Sequence, residues 1–393
     1  MILYMILCSF SQKIVVILWW IAMVIRGAEA TSTPYNGSPV SICKYKKLRT
    51  LLACDLNVET ISWDLILQLK CLRTLNLKGN SIEELPEAIG ELSHLLYLNL
   101  LKNSCLKELP HTVGNLYNLQ TLCLIYCKSL VKLPDTMRNL INLKHLYTYL
   151  SGSVKLGSLR NMDQLRGSLC INGLSDINTV SEAKEAQLVK KELLVELNLS
   201  FSVDKNYEKR WRDGQILNAL QPHPNLEEST ILHYHGTNFF CEFLPPLGNL
   251  HSLEILEISW VLGVKKVGLE FLDVQEQTSS SSSFPKLKQL CFKDVQWEEW
   301  EGGAEHSEIT IMPSLSSLTL WNNLKLKTLP DLLWKTPLKF LEISDFPILK
   351  QDFEIGSGKL WDKTSHIPNI KINHQFVRQD GVPIQPNLKQ SQN

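Results

Sequence analysis

Leucine recurs along this chain at a near-constant interval, and that interval leaves few folds open. Leu72, Leu75 and Leu77 read L-x-x-L-x-L and are followed by Asn80. Leu95, Leu98, Leu100 and Asn103 repeat the pattern, as do Leu119, Leu122, Leu124 and Cys127, then Leu143 and Leu146. The copies start at residues 72, 95, 119 and 143, so 23, 24 and 24 residues separate them. The text between copies repeats too: Leu85-Pro86 with Ile89-Gly90 and Leu92 matches Leu109-Pro110 with Val113-Gly114 and Leu116. Leu133-Pro134 with Met137 and Leu140 is a third copy. Looser copies follow at Leu194/Leu197/Leu199, Leu226/Ile231, Leu253/Leu256/Ile258, Leu287/Leu290/Phe292, Leu315/Leu318/Leu320 with Asn323, and Leu338/Leu341/Ile343. With Leu48/Leu51 and Leu169/Ile171 this predicts about a dozen short strands between residues 48 and 343.

A period of roughly 20–29 residues with this pattern predicts an α/β chain, a leucine-rich-repeat solenoid or horseshoe. The first, fourth and sixth positions of each copy point inward from a short strand, and the strands form a parallel sheet on the concave face. Residues between them alternate to the opposite side. Asn80, Asn103 and Asn323 are assigned a structural role at the turn after the strand, where a buried amide satisfies backbone groups of the next coil. L-P-x-x-I-G-x-L returns along the convex side as a short helix or 3-10 turn opened by proline. No coil buries both its faces alone, so the coils must stack.

Several stretches depart from the period. Thr179-Val-Ser-Glu182 is a capping-box pattern, and Ala186, Val189 and Leu193 are expected to share the packed face of a convex helix. Residues 203–222 and 275–284 read as insertions, the second around the serine run 279–283. The domain reading is therefore an apolar N-terminal segment at 1–30, regular repeats at 44–150, irregular repeats at 151–372 and a polar, poorly ordered tail at 373–393. Ile14 to Ile25 is apolar between Lys13 and Arg26, and Ala28-Glu-Ala30 resembles a signal-peptidase site, but twelve residues are short for a span. Lys+Arg and Asp+Glu both number 40, giving zero net charge and no electrostatic case for nucleic acid or an anionic membrane as partner. Ten scattered cysteines lack C-x-x-C pairs and zinc-finger spacing, the usage of reduced thiols in a cytosolic protein.

The repeat text is more specific than the generic pattern. Lys47-Leu-Arg-Thr-Leu-Leu52, Leu119-Gln-Thr-Leu122, Leu143-Lys-His-Leu146 and Leu165-Arg-Gly-Ser-Leu169 resemble the repeat region of plant coiled-coil nucleotide-binding leucine-rich-repeat disease-resistance proteins. So do Ala219-Leu-Gln-Pro-His-Pro-Asn-Leu226, Leu244-Pro-Pro-Leu-Gly248, Val264-Lys-Lys-Val-Gly268 and His366-Ile-Pro-Asn-Ile370. The resemblance covers roughly residues 44–372. The sequence holds no G-x-x-x-x-G-K-[ST], so the family's ATPase module and its coiled coil are not carried over. What the resemblance implies is the sensing half in plant defence and innate immunity. It is a cytoplasmic, protein-binding module whose partner is a pathogen effector or a host protein, and it can also pack on a nucleotide-binding domain of another chain.

No catalytic constellation, metal set or cofactor motif is expected; G-x-S-x-G is absent. The expected partner-binding residues lie in the concave columns. The column Thr74, Tyr97, Thr121, His145 is followed by Asn76, Asn99, Cys123, Tyr147 and by Lys78, Leu101, Ile125, Tyr149. Tyr97, His145, Tyr147, Tyr149 and, further along, Trp321 are assigned as contacts, because aromatic residues carry area and a polar tip at low entropic cost. His233 and His235, two apart, are expected to share a strand face but lack a third metal ligand. Trp297-Glu-Glu-Trp300 is expected to cap the convex side. The alternative function is a secreted or membrane-tethered repeat protein, such as a hydrolase inhibitor, anchored or exported through residues 1–30. Against it, extracellular plant arrays read L-x-G-x-I-P with paired cysteine caps, whereas this chain reads L-P-x-x-I-G. Asn36 and Asn198 sit in glycosylation sequons, the latter inside a strand pattern.

Overall fold

The computed structural model describes residues 47–55, 63–149, 156–177, 179–201, 207–235, 244, 246–261, 263–272, 282–302, 310–353 and 358–384. The segment 1–30, the sequon at Asn36 and residues 275–281 lie outside them. Two compact units meet at Arg166/Gly167, later in the chain than the change of repeat regularity at 150.

In the first unit five parallel strands stack in register: β1 Thr50–Leu52, β2 Thr74–Asn76, β3 Tyr97–Asn99, β4 Thr121–Cys123 and β5 His145–Tyr149. Thr50, Thr74, Tyr97, Thr121 and His145 pair in one row, with Leu51, Leu75, Leu98, Leu122 and Leu146 in the next. Those leucines are buried because strand side chains alternate faces. A short helix, α1 (Trp63–Leu67), precedes β2. On the return path Pro86, Pro110 and Pro134 each sit at φ between −69° and −65° and open the 3-10 turns Glu87–Glu91, His111–Asn115 and Asp135–Asn139. Proline supplies that φ from its own ring. Ile89, Val113 and Met137 point inward from these turns.

Coil-to-coil contacts are polar as well as apolar. Asn103 is fully buried; its Nδ2 donates to Leu77 O at 2.9 Å and Leu100 O at 2.8 Å, and its Oδ1 accepts from Asn80 N at 3.2 Å and Ile82 N at 3.0 Å. Asn80 donates to the Ala53 carbonyl. The amide therefore reaches the preceding coil, not the following one. Cys127 takes the same place one coil on and donates its Sγ to Leu100 O at 3.2 Å. On the return side, Thr136 Oγ1 donates to His111 O at 2.6 Å, Asn118 Nδ2 to Ser93 O at 2.9 Å and Asn142 Nδ2 to Tyr117 O at 2.8 Å. Gly114 has no room for a side chain: a Cβ there would stand 2.5 Å from Thr136 O.

The second unit continues the plan with longer coils. Its main sheet is β6 (Gly167–Asn172), β7 (Leu194–Ser200), β8 (Glu228–Leu232), β9 (Ile255–Ser259), β11 (Gln289–Lys293), β13 (Ser317–Trp321), β14 (Phe340–Ser344) and β15 (Asn369–Ile372), all parallel. β10 (Lys266–Val267) and β12 (Glu299–Trp300) form a separate two-stranded parallel sheet. Trp297 and Trp300 are buried edge-on against Phe292, with centroids 4.7 and 5.3 Å away at 89°. They fill core rather than offer an acidic-aromatic surface. Asn323 repeats the buried-amide device, donating to Trp297 O at 3.1 Å and accepting from Lys325 N and Leu326 N.

Three expectations require correction here. Helix α2 (Val180–Glu185) is capped by Thr179, whose Oγ1 accepts from Glu182 N at 3.2 Å. It ends, however, before Gln187, which is left-handed at φ 49°. The break shifts the phase: Leu188 and Lys191 turn inward, while Val189 and Leu193 are exposed. Within the expected insertion 203–222, Tyr207–Leu220 is helix α3, and its second half buries Asp213, Ile216, Leu217 and Leu220. The tail folds through residue 384: β16 (Gln375–Gln379) adds antiparallel to β15, and β17 (Val382–Pro383) antiparallel to β16. Arg378 pins them, its buried guanidinium donating to the carbonyls of Thr364 and Ile367 and lying 4.4 Å from the Trp361 ring centre. Burial lowers its pKa from the usual arginine value.

Candidate functional site

Each sheet has a face turned away from the leucine core, and two clusters stand out on these faces, one per unit. In the first, β5 presents His145, Tyr147 and Tyr149 from alternate positions, all half-buried, while Leu146 and Thr148 point inward. The His145 and Tyr147 rings are nearly parallel (13°) with centroids 6.4 Å apart. Tyr149 packs at 5.4 Å on Tyr126, a residue sequence reasoning passed over. Tyr97 lies in the His145 row but two strands away, with Thr121 between. Burial, with Cys123 close by, raises the Tyr97 hydroxyl pKa to about 12, so it remains a neutral hydrogen-bonding group.

The neighbouring column is not the open row expected from alternation. Asn76, Asn99 and Cys123 are buried. The two amides bend back on the chain, Asn99 Oδ1 accepting from Leu101 N at 2.9 Å and Asn76 Oδ1 from Lys78 N at 3.2 Å. Only Tyr147 in that column is large enough to emerge.

A recurring turn explains Tyr126. The fifth residue beyond each member of the row Thr50–Thr74–Tyr97–Thr121 is left-handed: Asp55 (φ 51°), Gly79 (71°), Lys102 (63°) and Tyr126 (60°). In the second unit the same place holds His233 (56°), Trp260 (61°), Asp294 (51°), Asn322 (54°) and Asp345 (62°). Glycine, asparagine and aspartate adopt this conformation readily, whereas for other L-residues it costs about 1–2 kcal/mol. Tyr126, His233 and Trp260 are held there against that preference. Such strain is a pointer towards function. The turn also breaks the alternation that would have put His233 and His235 on one face. His233 stacks on exposed Trp260 at 6.0 Å, whereas His235 is buried with Nδ1 3.5 Å from Asp213 Oδ2. Desolvation, with His235 adding to it, lowers the His233 pKa.

The second cluster surrounds Trp321, which is 42% exposed. A depression of about 380 Å³ is lined by Cys291, Lys293, Thr319, Trp321, Glu342, Ser344 and His374. Trp321 Nε1 donates to Asp345 Oδ2 at 3.1 Å, and His374 meets the Trp321 ring edge-on at 5.6 Å. His374 Nδ1 is 3.4 Å from Glu342 Oε1. Lys293 Nζ is held 3.0 Å from Glu257 Oε1; burial works against its charge, but this bond and the nearby Cys291 outweigh it and raise its pKa. Among the described residues no group of three potential ligands could hold a metal ion, and no helix is long and apolar enough to cross a membrane. Seven cysteines there are free thiols.

Coils of 23–34 residues with an inward leucine triplet, a recurring buried asparagine and a proline-opened return define a leucine-rich-repeat solenoid. Residues 156–295 match the family model described as R13L1/DRL21 LRRs. The chain is 40% identical over 264 residues to a disease resistance protein of Arabidopsis thaliana, covering 59% of this chain and 18% of that protein. It is 34% identical over 284 residues to the disease resistance protein RGA1 of Solanum bulbocastanum, covering 60% and 28%. The chain is thus similar to part of these plant disease resistance proteins, spanning less than a third of their length. A leucine-rich-repeat protein of Leptospira interrogans of solved structure gives a TM-score of 0.37 at 19% identity, over 89% of this chain and 97% of that one.

Proposed function

We propose that the chain is a non-catalytic recognition module of plant defence, acting in the cytoplasm and binding an effector or host protein through the side of its sheets facing away from the core. The observation that carries this reading is the aromatic row on β5, continued by Tyr126. Four rings stand side by side on a rigid strand platform, partly exposed and not needed to fill the core. Rigid aromatic side chains of this kind lose little entropy on binding and dominate interface energetics. Tyr97 and Trp321 extend the contact to other strands of their own units. The relatives being resistance proteins supports the biological setting.

The test uses the full chain as bait against candidate plant and pathogen proteins, with purified hits measured by calorimetry. Tyr147→Ala and Tyr149→Ala should each weaken a genuine partner by about 1 kcal/mol or more, roughly fivefold. Glu87→Ala, on the return side, should leave it unchanged. A partner indifferent to both tyrosines but sensitive to Glu87 would remove the reading.

A further inference from the structure

We infer that the edge of the second unit's sheet running from His233 and Trp260 to Trp321 and His374 docks an extended, basic segment of a partner protein, with an arginine or lysine seated in the depression beside Trp321. This deepens the recognition reading above and rests on it.

Length comes first. The strands crossed are β8, β9, β11, β13, β14 and β15 in that order. Five inter-strand steps of about 4.8 Å make roughly 24 Å, the reach of about seven residues of extended chain at 3.3 Å each. Aromatic pairs mark both ends of that line: His233 stacked on Trp260, and Trp321 against His374. Both tryptophans are large, exposed and unneeded in the core. Trp260 in addition is held left-handed, where asparagine or glycine would sit without strain.

Charge decides the occupant. Along this edge stand four carboxylates, Glu257, Asp294, Glu342 and Asp345, and two ammonium groups, Lys293 and Lys371. Lys293 is committed to Glu257 at 3.0 Å. Lys371 lies over the rings of Phe340 and Phe376, 5.5 and 4.7 Å from their centres. His233, with its lowered pKa, adds no positive charge at neutral pH. The excess of carboxylates is concentrated at Trp321: Asp345 is bonded to its indole edge, and Glu342 lines the same depression. An exposed indole flanked by carboxylates attracts a cation by its ring quadrupole and by direct ion pairing. The depression, about 380 Å³, is large enough for one guanidinium-bearing side chain. An acidic segment would meet like charge at Glu342 and Asp345, on either side of the exposed indole.

The experiment titrates the full chain with three capped heptapeptides in which serine alternates with arginine, glutamine or glutamate, followed by tryptophan fluorescence and calorimetry. The arginine peptide should bind at least fivefold more tightly than the glutamine peptide, and the glutamate peptide least. Trp321→Ala and Glu342→Gln should each weaken the arginine peptide at least fivefold, while Tyr147→Ala, in the other unit, should not. Both altered side chains are partly exposed, and an unchanged melting curve confirms that each variant is folded. Arginine-peptide binding untouched by both substitutions, no binding up to millimolar peptide, or tighter binding of the glutamate peptide overturns the proposal. If an authentic partner depends on Tyr147 while this edge is inert, the recognition reading survives and the basic docking surface does not. If the edge binds arginine peptide but partners ignore both aromatic clusters, the recognition reading falls and this proposal, which rests on it, falls with it.

Discussion

Replacing Asn103 by alanine should be among the most damaging single changes in the first unit. The side chain is fully buried and makes four hydrogen bonds, three of which reach the preceding coil. Truncation removes the Oδ1 acceptor of the Asn80 and Ile82 N–H groups, and the loss of a buried donor's partner costs about 1–3 kcal/mol. The Leu77 carbonyl loses its amide donor as well, whereas Leu100 O still accepts from Cys127 Sγ. Summing the two donors gives about 2–6 kcal/mol, against a typical domain stability of about 5–15 kcal/mol. Because a repeat array is held by nearest-neighbour interfaces, the loss should be local. Hydrogen exchange should show lost protection across β2, β3 and their turns, with β13 and β14 unchanged. Urea unfolding followed by circular dichroism should show an earlier onset. Asn103→Cys should fall between wild type and alanine, since Cys127 already serves one coil on with a single bond. A destabilisation under about 1 kcal/mol, or protection lost equally in both units, would refute the bond-by-bond reasoning.

Two further outcomes follow from the packing. Gly114→Ala places a Cβ about 2.5 Å from the Thr136 carbonyl and 2.6 Å from its Cβ, so it should destabilise by about 1–3 kcal/mol, measured by thermal melting; a neutral effect would mean the return turns separate freely. Burial raises the thiol pKa to about 11 at Cys123 and Cys291 and about 12 at Cys127, so only about one in a thousand is thiolate at pH 8 even for the first two. Alkylation at that pH, read by mass spectrometry, should mark exposed Cys71 and Cys105 first. Rapid labelling of Cys127 without denaturant would contradict the burial.

The strands and return turns were legible in the sequence because their burial is decided within a few residues. A leucine triplet fixes which face of a strand goes inward, and Pro86, Pro110 and Pro134 fix the backbone angle that follows. What escaped was whatever depended on a left-handed residue resetting the phase. Gln187 moved Val189 and Leu193 to the surface, and His233 separated itself from His235. Residue types rarely found in that conformation gave no warning at either place. The candidate site was partly legible. Alternation identified His145, Tyr147 and Tyr149, but it could not foresee that Asn76 and Asn99 would fold back on their own backbone, or that Tyr126 would join the row from a turn. The folded tail escaped because its anchor, Arg378, is a charged residue in a polar stretch, and only the carbonyls of Thr364 and Ile367 make its burial tolerable.

That anchored hairpin has a consequence for how an array of this kind can change length. β16 runs against the direction of the parallel strands before it, β17 turns back alongside it, and Pro383 on β17 lacks a donor. Although β17 points the same way as the array, it offers only two residues for a further coil to pair with. A duplicated repeat would find a five-residue parallel partner between existing strands such as β13 and β14, whereas the hairpin offers a neighbouring molecule only a two-residue edge interrupted by proline.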